Sequence, residues 1–288
     1  HAGDTALVPT ADSAKDPWWT LFDDPLLYSL VAEASAANHN LQKAEARIRE
    51  ARAQRILAAG TTAIGAAASA NSARRSDNTS TTGGTQNLFQ IGFDAGWELD
   101  IFGGVHRAGE AAEASLAAAH EDMRDVLVSL QAEVASNYLE LRGSQRRLVV
   151  TRNNIATQEK TVALVRGRFE MGLGNELDLM HSETQLALTR AALPPLEQAI
   201  RQNMHQLALL LGQPPASLME RLSGTGQNLI TPPQMPINLP SDLLRQRPDI
   251  RAAERRLAAA TAEIGVATAE LFPKFSLTGL LGLQSRNL

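Results

Sequence analysis

The chain has 288 residues, of which 44% are apolar, so it can bury a core in one large domain or two smaller ones. Its formal net charge of −4 argues against a nucleic-acid-binding protein, which normally carries a basic excess. The absence of cysteine excludes disulfide scaffolds, cysteine zinc sites and thiol nucleophiles.

The N-terminal residues carry no recognisable targeting signal. They are polar, and they lack both the basic region and the apolar stretch of a secretory signal peptide. We therefore expect either a cytosolic protein or an exported one whose signal peptide is not part of this sequence. No run of about 18 apolar residues occurs, so no membrane-spanning helix is predicted.

A helix and two strands are predicted in the first hundred residues. The helix covers 38–60, which is rich in alanine and arginine, and a weak strand of small residues begins at Thr61. The second strand covers 89–101, where apolar residues alternate with polar or small ones. This alternation is compatible with a strand of a soluble sandwich. Its length, well beyond the usual ~5–6 residues, favours a membrane strand between lipid and water.

A long helix is predicted over 107–170, which contains no proline. One apolar residue recurs there at every seventh position, from Leu127 to Phe169, and this heptad repeat is typical of a coiled coil. A helix of this length would span roughly 96 Å at 1.5 Å per residue. Such a rod is too long for a compact globule.

A helical hairpin follows from the next segment. The glycine-containing residues 171–175 interrupt the long helix, and a second heptad row predicts another helix over 176–211. Two such helices joined by a short turn form an antiparallel pair. Pro194 and Pro195 should kink the second helix, because neither can donate a helical hydrogen bond. The proline-rich residues 214–248 predict a connector.

The end of the chain repeats its beginning. Residues 250–267 resemble residues 41–58 at a constant offset of 209 positions, and a strand-like segment at 275–283 follows. We therefore expect one repeat of the form helix, strand, strand and long helix. A second repeat begins near Ser241 and stops at Leu288 after a single strand.

Known catalytic motifs are missing from the sequence. It contains no HExxH zinc motif and no Gly-x-Ser-x-Gly nucleophile elbow, and the glycines at 60 and 65 lack the lysine of a phosphate-binding loop. We expect neither an enzyme nor a cofactor or metal site.

Four motifs point to one family. They are WWxxFxDPxL at 18–27, WELDIFG at 97–103, RFxxGLxxxLDL at 168–179 and LPSDLLRxRPDI at 239–250. Together they resemble the TolC-like outer-membrane efflux channels, specifically the OprM/NodT branch that serves tripartite drug pumps.

The resemblance implies a mainly α fold with β-barrel strands, in which a long α-helical coiled-coil hairpin forms a periplasmic tunnel and a β-hairpin enters the membrane. It also implies a chain truncated after the first of two repeats. The expected divisions are an N-terminal segment and first short helix in the equatorial region at 1–37, a tunnel helix at 38–60, a β-barrel hairpin at 61–103, the long antiparallel coiled-coil hairpin at 104–211, a proline-rich equatorial connector at 212–240 and the start of the second repeat at 241–288.

The resemblance also implies roles for individual residues. The hairpin tip that docks the adaptor comprises Met171, Gly172, Leu173 and Gly174. Asp178 lies near the periplasmic gate. The residues expected to face the barrel lumen, where they favour cations, are Asp94, Glu98 and Asp100. Those expected to face lipid are Phe89, Ile91, Phe93 and Trp97.

The implied function is that of a passive outer-membrane channel that exports drugs or other small molecules from the periplasm, as in multidrug resistance. The implied partners are two further copies in a homotrimer, outer-membrane lipid, a periplasmic adaptor protein and an inner-membrane RND pump, with no nucleic acid and no cofactor. Many relatives are lipoproteins anchored through an N-terminal cysteine, which this sequence lacks. The alternative is a non-channel periplasmic coiled-coil protein such as the adaptor, whose hairpin would be flanked by modules of short strands.

Overall fold

A computed structural model describes residues 18–60, 64–76, 85–224 and 244–285. After a 3₁₀ helix at Trp18–Phe22, the elements are α1 (Pro25–Ala37), α2 (His39–Gly60), β1 (Gly65–Ser76), β2 (Thr85–Leu99), α3 (Gly104–Glu170), α4 (Glu176–Ala191), α5 (Leu193–Leu210), α6 (Met219–Leu222), α7 (Pro248–Ala269) and β3 (Phe275–Ser285). None of the helices in this part of the chain combines the length and the apolar character that a membrane crossing requires.

The described residues form two compact units. The hairpin unit contains 18–43 and 124–224, and the sheet unit contains 44–60, 64–76, 85–123 and 245–285. Helices α2 and α3 contribute residues to both. The predicted combination of a long helical hairpin with antiparallel strands is confirmed.

The hairpin unit packs along its two heptad rows. Ile155 and Val162 of α3 form one apolar cluster with Leu179 and Leu186 of α4. Further buried members of the rows are Val134 and Leu141 on α3, and Ile200 and Leu207 on α5. A seven-residue spacing keeps side chains on one side of a helix, so the two rows can meet over the whole length of the hairpin.

Ion pairs flank the same seam at seven-residue intervals. Arg152 pairs with Glu197 at 2.9 Å, Arg190 pairs with Glu159 at 2.6 Å, and Arg166 pairs with Glu183. These pairs are solvent-exposed, so each contributes only about 0–1 kcal/mol to stability. Their regular spacing on both arms nevertheless favours one antiparallel register, since a shifted register would separate all three.

The second arm is interrupted next to its two prolines. Helix α4 ends at Ala191 and α5 starts at Leu193, with Ala192 between them. The prolines lie in the first turn of α5, where a backbone N–H has no partner within the helix and its absence costs nothing. The predicted interruption of the second arm at these prolines is therefore confirmed, and the arm ends at Leu210, one residue before the predicted end.

A buried tyrosine ties the N-terminal segment to α3. The Asp24 carboxylate caps α1 by accepting from the backbone N–H groups of Leu26 and Leu27, at 2.9 and 3.4 Å. It also accepts from the hydroxyl of Tyr138, at 2.5 Å. Tyr138 is only 1% exposed. Burial and, next, the hydrogen bond to Asp24 raise the pKa of Tyr138 to about 12.

Two polar side chains next to Tyr138 hold the end of α6. The Arg142 guanidinium lies 5.0 Å from the centre of the Tyr138 ring and donates to the carbonyl oxygen of Gly224. Gln145 donates to the carbonyl oxygen of Leu222 at 2.7 Å. These buried side chains satisfy backbone carbonyl groups that would otherwise be left without partners.

A second tie joins α6 to α1 at the surface. The Arg221 guanidinium donates to both carboxylate oxygens of Glu33, at 2.9 and 2.8 Å, and to the hydroxyl of Ser29. The hydrogen bond from Arg221 lowers the pKa of Glu33. The proline-rich connector predicted at 212–240 thus contains the helix α6, and its residues 225–240 lie outside the described residues.

In the sheet unit, the three strands are antiparallel in the order β1, β2, β3. The central strand β2 runs from Thr85 to Leu99, so the prediction of a strand over 89–101 was wrong at both ends. The strand stops before Asp100 because that carboxylate accepts from the N–H groups of Val105 and His106 and thereby starts α3.

The predicted internal repeat is visible in the element bounds. Helix α2 begins at His39 and α7 at Pro248, and both contain 22 residues, which reproduces the offset of 209. Each is followed by a strand, β1 or β3, that pairs with β2.

Replacing Tyr138 by phenylalanine should lower stability by about 1.5–3 kcal/mol, because the ring remains while a buried hydrogen bond to a carboxylate is lost. Thermal unfolding followed by circular dichroism measures the change. Tyr28→Phe is the matched control, since the Tyr28 hydroxyl donates to the Thr20 carbonyl at an exposed site. Equal losses in the two variants would contradict the role given to Tyr138.

Candidate functional site

The turn between α3 and α4, here called the hairpin tip (171–175), is built on two backbone hydrogen bonds. The N–H of Gly172 donates to the carbonyl of Phe169 at 2.9 Å, and that of Leu173 donates to the carbonyl of Arg168 at 2.8 Å. Gly172 has a φ of +72°, which side chains with a Cβ rarely adopt. This pairing is the Schellman helix end, and it requires a left-handed residue at the position of Gly172.

The second half of the tip is equally constrained. A Cβ added to Gly174 would lie 3.0 Å from the backbone nitrogen of Phe169, so only glycine fits without displacing the end of α3. Asn175 then starts α4 by accepting from the N–H of Leu177 at 3.1 Å. The backbone conformation of the tip therefore explains why both positions are glycine, without reference to any partner.

Apolar side chains project from the tip into solvent. Met171 is 67% exposed and Leu173 is 68% exposed, and on the first turns of α4 Leu177 and Met180 are exposed as well. We call these four residues the tip patch. Asp178 lies between them in the first turn of α4 and is also exposed. An acidic residue is favourable there because the N-terminus of a helix carries partial positive charge.

The predicted lipid-facing residues share one face of β2. Ile91 and Phe93 are largely exposed, Trp97 is 39% exposed and Phe89 is half-buried. The register continues this face onto β3, where Leu283, Leu281 and Leu277 lie opposite Ile91, Phe93 and Trp97. On the other side β1 contributes alanines to the same face, at 66, 68 and 70. We call this surface the apolar face.

The opposite face of the sheet is small and polar. Asp94 accepts from the hydroxyl of Ser69 at 3.3 Å, and Glu98 is exposed. Gly92 pairs with Gly282 at its centre, where a Cβ on Gly282 would lie 2.9 Å from the carbonyl oxygen of Ile91. Two leucines lie on this face as well, Leu88, which is partly buried, and Leu280, which is exposed.

Of the predicted lumen residues, the structure places Asp94 and Glu98 together on the polar face. Asp100 lies beyond the strand, where both of its carboxylate oxygens cap α3. The alternation of apolar and polar residues continues in the sequence as far as Asp100, which is why it predicts a strand residue there. Whether a carboxylate caps a helix instead depends on the turn that follows the strand.

Sequence reasoning missed several residues of these surfaces. The sequence predicted β3 as a strand, but it did not predict that the apolar side chains of β3 lie beside those of β2. The alternation of Phe275 and Leu277 with Ser276 and Thr278 is the signal that indicates an apolar face on β3. The exposed Leu177 and Met180 were also missed, because heptad position alone does not separate tip residues from seam residues. Within the described residues, no group of three or more His, Cys, Asp or Glu could hold a metal ion.

A long heptad hairpin with a constrained tip, together with an antiparallel sheet that has one apolar and one polar face, matches one family. The chain belongs to the outer membrane efflux protein family, whose sequence profile matches residues 30–213 and 239–288. The resemblance to the OprM/NodT branch is thereby confirmed.

Individual relatives agree with this assignment. The chain is 33% identical to nodulation protein T of Rhizobium leguminosarum bv. trifolii, over 91% of this chain and 56% of that protein. It is 32% identical to the pyoverdine export outer membrane protein OpmQ of Pseudomonas putida, over 93% of this chain and 60% of that protein. The chain therefore spans little more than half the length of these relatives.

Solved structures give the same result. The outer-membrane channel OprN superposes with a TM-score of 0.87 and 37% identity, over 100% of this chain and 67% of OprN. The outer membrane protein VceC of Vibrio cholerae superposes with a TM-score of 0.81 and 26% identity, over 94% of this chain and 65% of VceC.

We expect Gly172→Ala to destabilise the hairpin by about 1–2 kcal/mol, because alanine is strained at a positive φ. Gly167→Ala is the control, since its added Cβ meets no atom within 4 Å and replaces glycine inside a helix. It should stabilise by about 0.5–1 kcal/mol. Melting temperatures from circular dichroism compare the two, and a destabilising Gly167→Ala would show that the tip is not special.

Proposed function

We propose that the protein is the outer-membrane channel component of a tripartite efflux pump and that it conducts drugs or other small molecules passively from the periplasm to the exterior. The observation that carries the proposal is the apolar face. A three-stranded sheet presents large side chains from two strands on one side, and they stay exposed. In water this arrangement is unfavourable by about 25 cal/mol for each Å² of apolar surface.

Contact with lipid removes that cost. Phe89, Ile91, Phe93 and Trp97 would then face hydrocarbon, whereas Asp94 and Glu98 on the other face would line a water-filled passage. The second face supports this division because it carries glycine, serine, threonine and carboxylates, which water solvates well. Lipid on one side and water on the other is the alternation of transmembrane strands.

The hairpin unit provides the periplasmic part of the conduit in this proposal. Its heptad seam holds a rod together without a globular core, as a tunnel wall requires. The protein would act as a homotrimer in the outer membrane and reach into the periplasm, with an adaptor protein and an inner-membrane RND pump as partners. Relatives named for efflux and export in the outer membrane support this function.

The tip patch is the proposed adaptor-docking surface. Met171 and Leu173 project from a turn whose backbone is fixed by Gly172 and Gly174, so a partner meets a preorganised surface and loses little flexibility on binding. Asp178 lies beside the patch, and we propose that it contributes to the periplasmic gate. The alternative, that this chain is itself a periplasmic adaptor protein, is not favoured, because a protein outside the membrane would have no use for the apolar face.

The 288 residues contain no cysteine, so single cysteines introduced here report their surroundings once any cysteine elsewhere in the full-length protein has been replaced by serine. In membranes that contain the full-length protein, a charged maleimide should label Asp94→Cys at least about tenfold faster than Phe93→Cys, since thiolates react from water and not from hydrocarbon. Both should be labelled fully after denaturation in detergent. Equal rates in intact membranes would overturn the proposed division between the two faces.

Leu173→Asp should weaken binding of the purified adaptor about tenfold, which corresponds to the ~1.4 kcal/mol expected when a buried apolar contact is replaced by a charge. Export of a fluorescent dye from cells should fall in parallel. Leu188→Asp is the control, because Leu188 is an exposed leucine of α4 outside the tip patch. Loss of binding in both variants, or in neither, would refute docking through the tip patch.

A further inference from the structure

A cavity of about 280 Å³ lies in the sheet unit where the strands end and the helices begin. It is bounded by the end of β2 and the start of α3 on one side, and by the end of α7 and the turn into β3 on the other. The tip patch and the apolar face do not include it, and it shares Glu98 with the polar face. Its size suits the head of a small organic molecule, close to the lower limit of ~300 Å³ for ligand pockets.

Aromatic rings form one wall of this junction cavity. Phe102 and Phe272 stack with their ring centres 4.6 Å apart and their planes 14° from parallel. Phe275 lies next to them, with its ring centre 6.4 Å from that of Phe102. Phe102 and Phe272, which line the cavity, are 43% and 46% exposed, so the stacked pair leaves ring surface that the described residues do not cover. An aromatic face attracts cations through its negative quadrupole.

The base of the junction cavity is rigid because α3 and α7 approach closely. A Cβ added to Gly104 would lie 3.1 Å from the Cβ of Ala269, and one added to Gly265 would lie 2.8 Å from the Cγ of Arg107. Gly104 and Ala269 both line the cavity and are already in contact, so the helices cannot come closer there to fill it. The cavity is therefore preformed, which lowers the entropic cost of binding.

The charges that line the cavity are mostly negative. Glu98 and Glu270 are both exposed, and neither forms an ion pair with another residue in the described part of the chain. Asp100 also lines the cavity, but its oxygens already accept from the N–H groups at the start of α3. Lys274 is the cation among the lining residues. An anion would meet three carboxylates, whereas a cation would meet two that are free to pair with it.

We propose that the junction cavity binds organic cations with an apolar or aromatic body, such as substituted ammonium ions. The apolar body packs against Phe102 and Phe272, and the positive charge lies between Glu98 and Glu270. A small inorganic cation has no apolar body to pack against the aromatic wall, and a neutral aromatic molecule has no charge to pair with the carboxylates. The site goes beyond the proposed function, because binding is measurable in the purified protein whether or not it conducts.

The test uses benzyltrimethylammonium, which combines one aromatic ring with one fixed positive charge. Equilibrium dialysis against full-length protein in a neutral detergent measures binding, with detergent micelles alone as the background. We expect saturable binding of this probe, with binding of benzenesulfonate at least about tenfold weaker because its charge is opposite. The uncharged isostere neopentylbenzene should compete poorly.

Variants assign the binding to the cavity. The double variant Glu98→Gln/Glu270→Gln keeps the shape of both side chains and should weaken probe binding about five- to tenfold, and Phe272→Leu should weaken it about threefold. Glu254→Gln is the matched control, because Glu254 is an exposed carboxylate of α7 that does not line the cavity. Circular dichroism verifies that each variant is folded.

Three results would overturn the proposal: no saturable binding, equal binding of the cation and its uncharged isostere, or unchanged binding in the double variant. If dye export by the same protein persists in any of these cases, the cation site fails while the proposed channel function stands. If export is absent but the probe binds as expected, the proposed channel function fails while the cation site stands.

Discussion

The structure depends first on the seven-residue spacing of apolar side chains along α3 and its two antiparallel partners. Ile155 and Val162 meet Leu179 and Leu186 because a period of 3.5 residues keeps one row on the same side of a helix. Exposed ion pairs at the same interval favour one register. That register decides which residues occupy the turn, and it thereby places the apolar Met171 and Leu173 at the tip.

Glycine and buried polar groups act where this packing ends. Gly172 closes α3 because only a residue without a Cβ adopts its positive φ readily, and Gly174 allows the chain to pass the last turn of α3. In the hairpin unit, the short hydrogen bond from Tyr138 to Asp24 adds to the apolar packing of the buried Leu27 and Leu141. These residues fix the ends of the hairpin, where the heptad packing alone would allow the helix ends to unwind or the two arms to shift in register.

The sheet unit follows a different rule. A soluble sheet buries one face, yet here Phe93 and Leu281 lie side by side and remain 66% and 76% exposed. The polar face carries Asp94 and small residues, and a Cβ at its central Gly282 would lie too close to the carbonyl oxygen of Ile91. The exposed apolar face is the observation on which the proposed contact with lipid on one side and water on the other rests.

The sequence by itself determined the heptad hairpin, the alternating strand, the repeat at an offset of 209 and the residues of the tip, because periodicity and glycine placement are local properties of the chain. It misjudged Asp100 as a strand residue, since capping depends on which backbone groups lack partners nearby. Only the tertiary structure decided that β3 extends the apolar face, that Tyr138 reaches Asp24, and that Phe102 stacks on Phe272. Those pairs are far apart in the chain, and no local pattern encodes which distant side chains will meet.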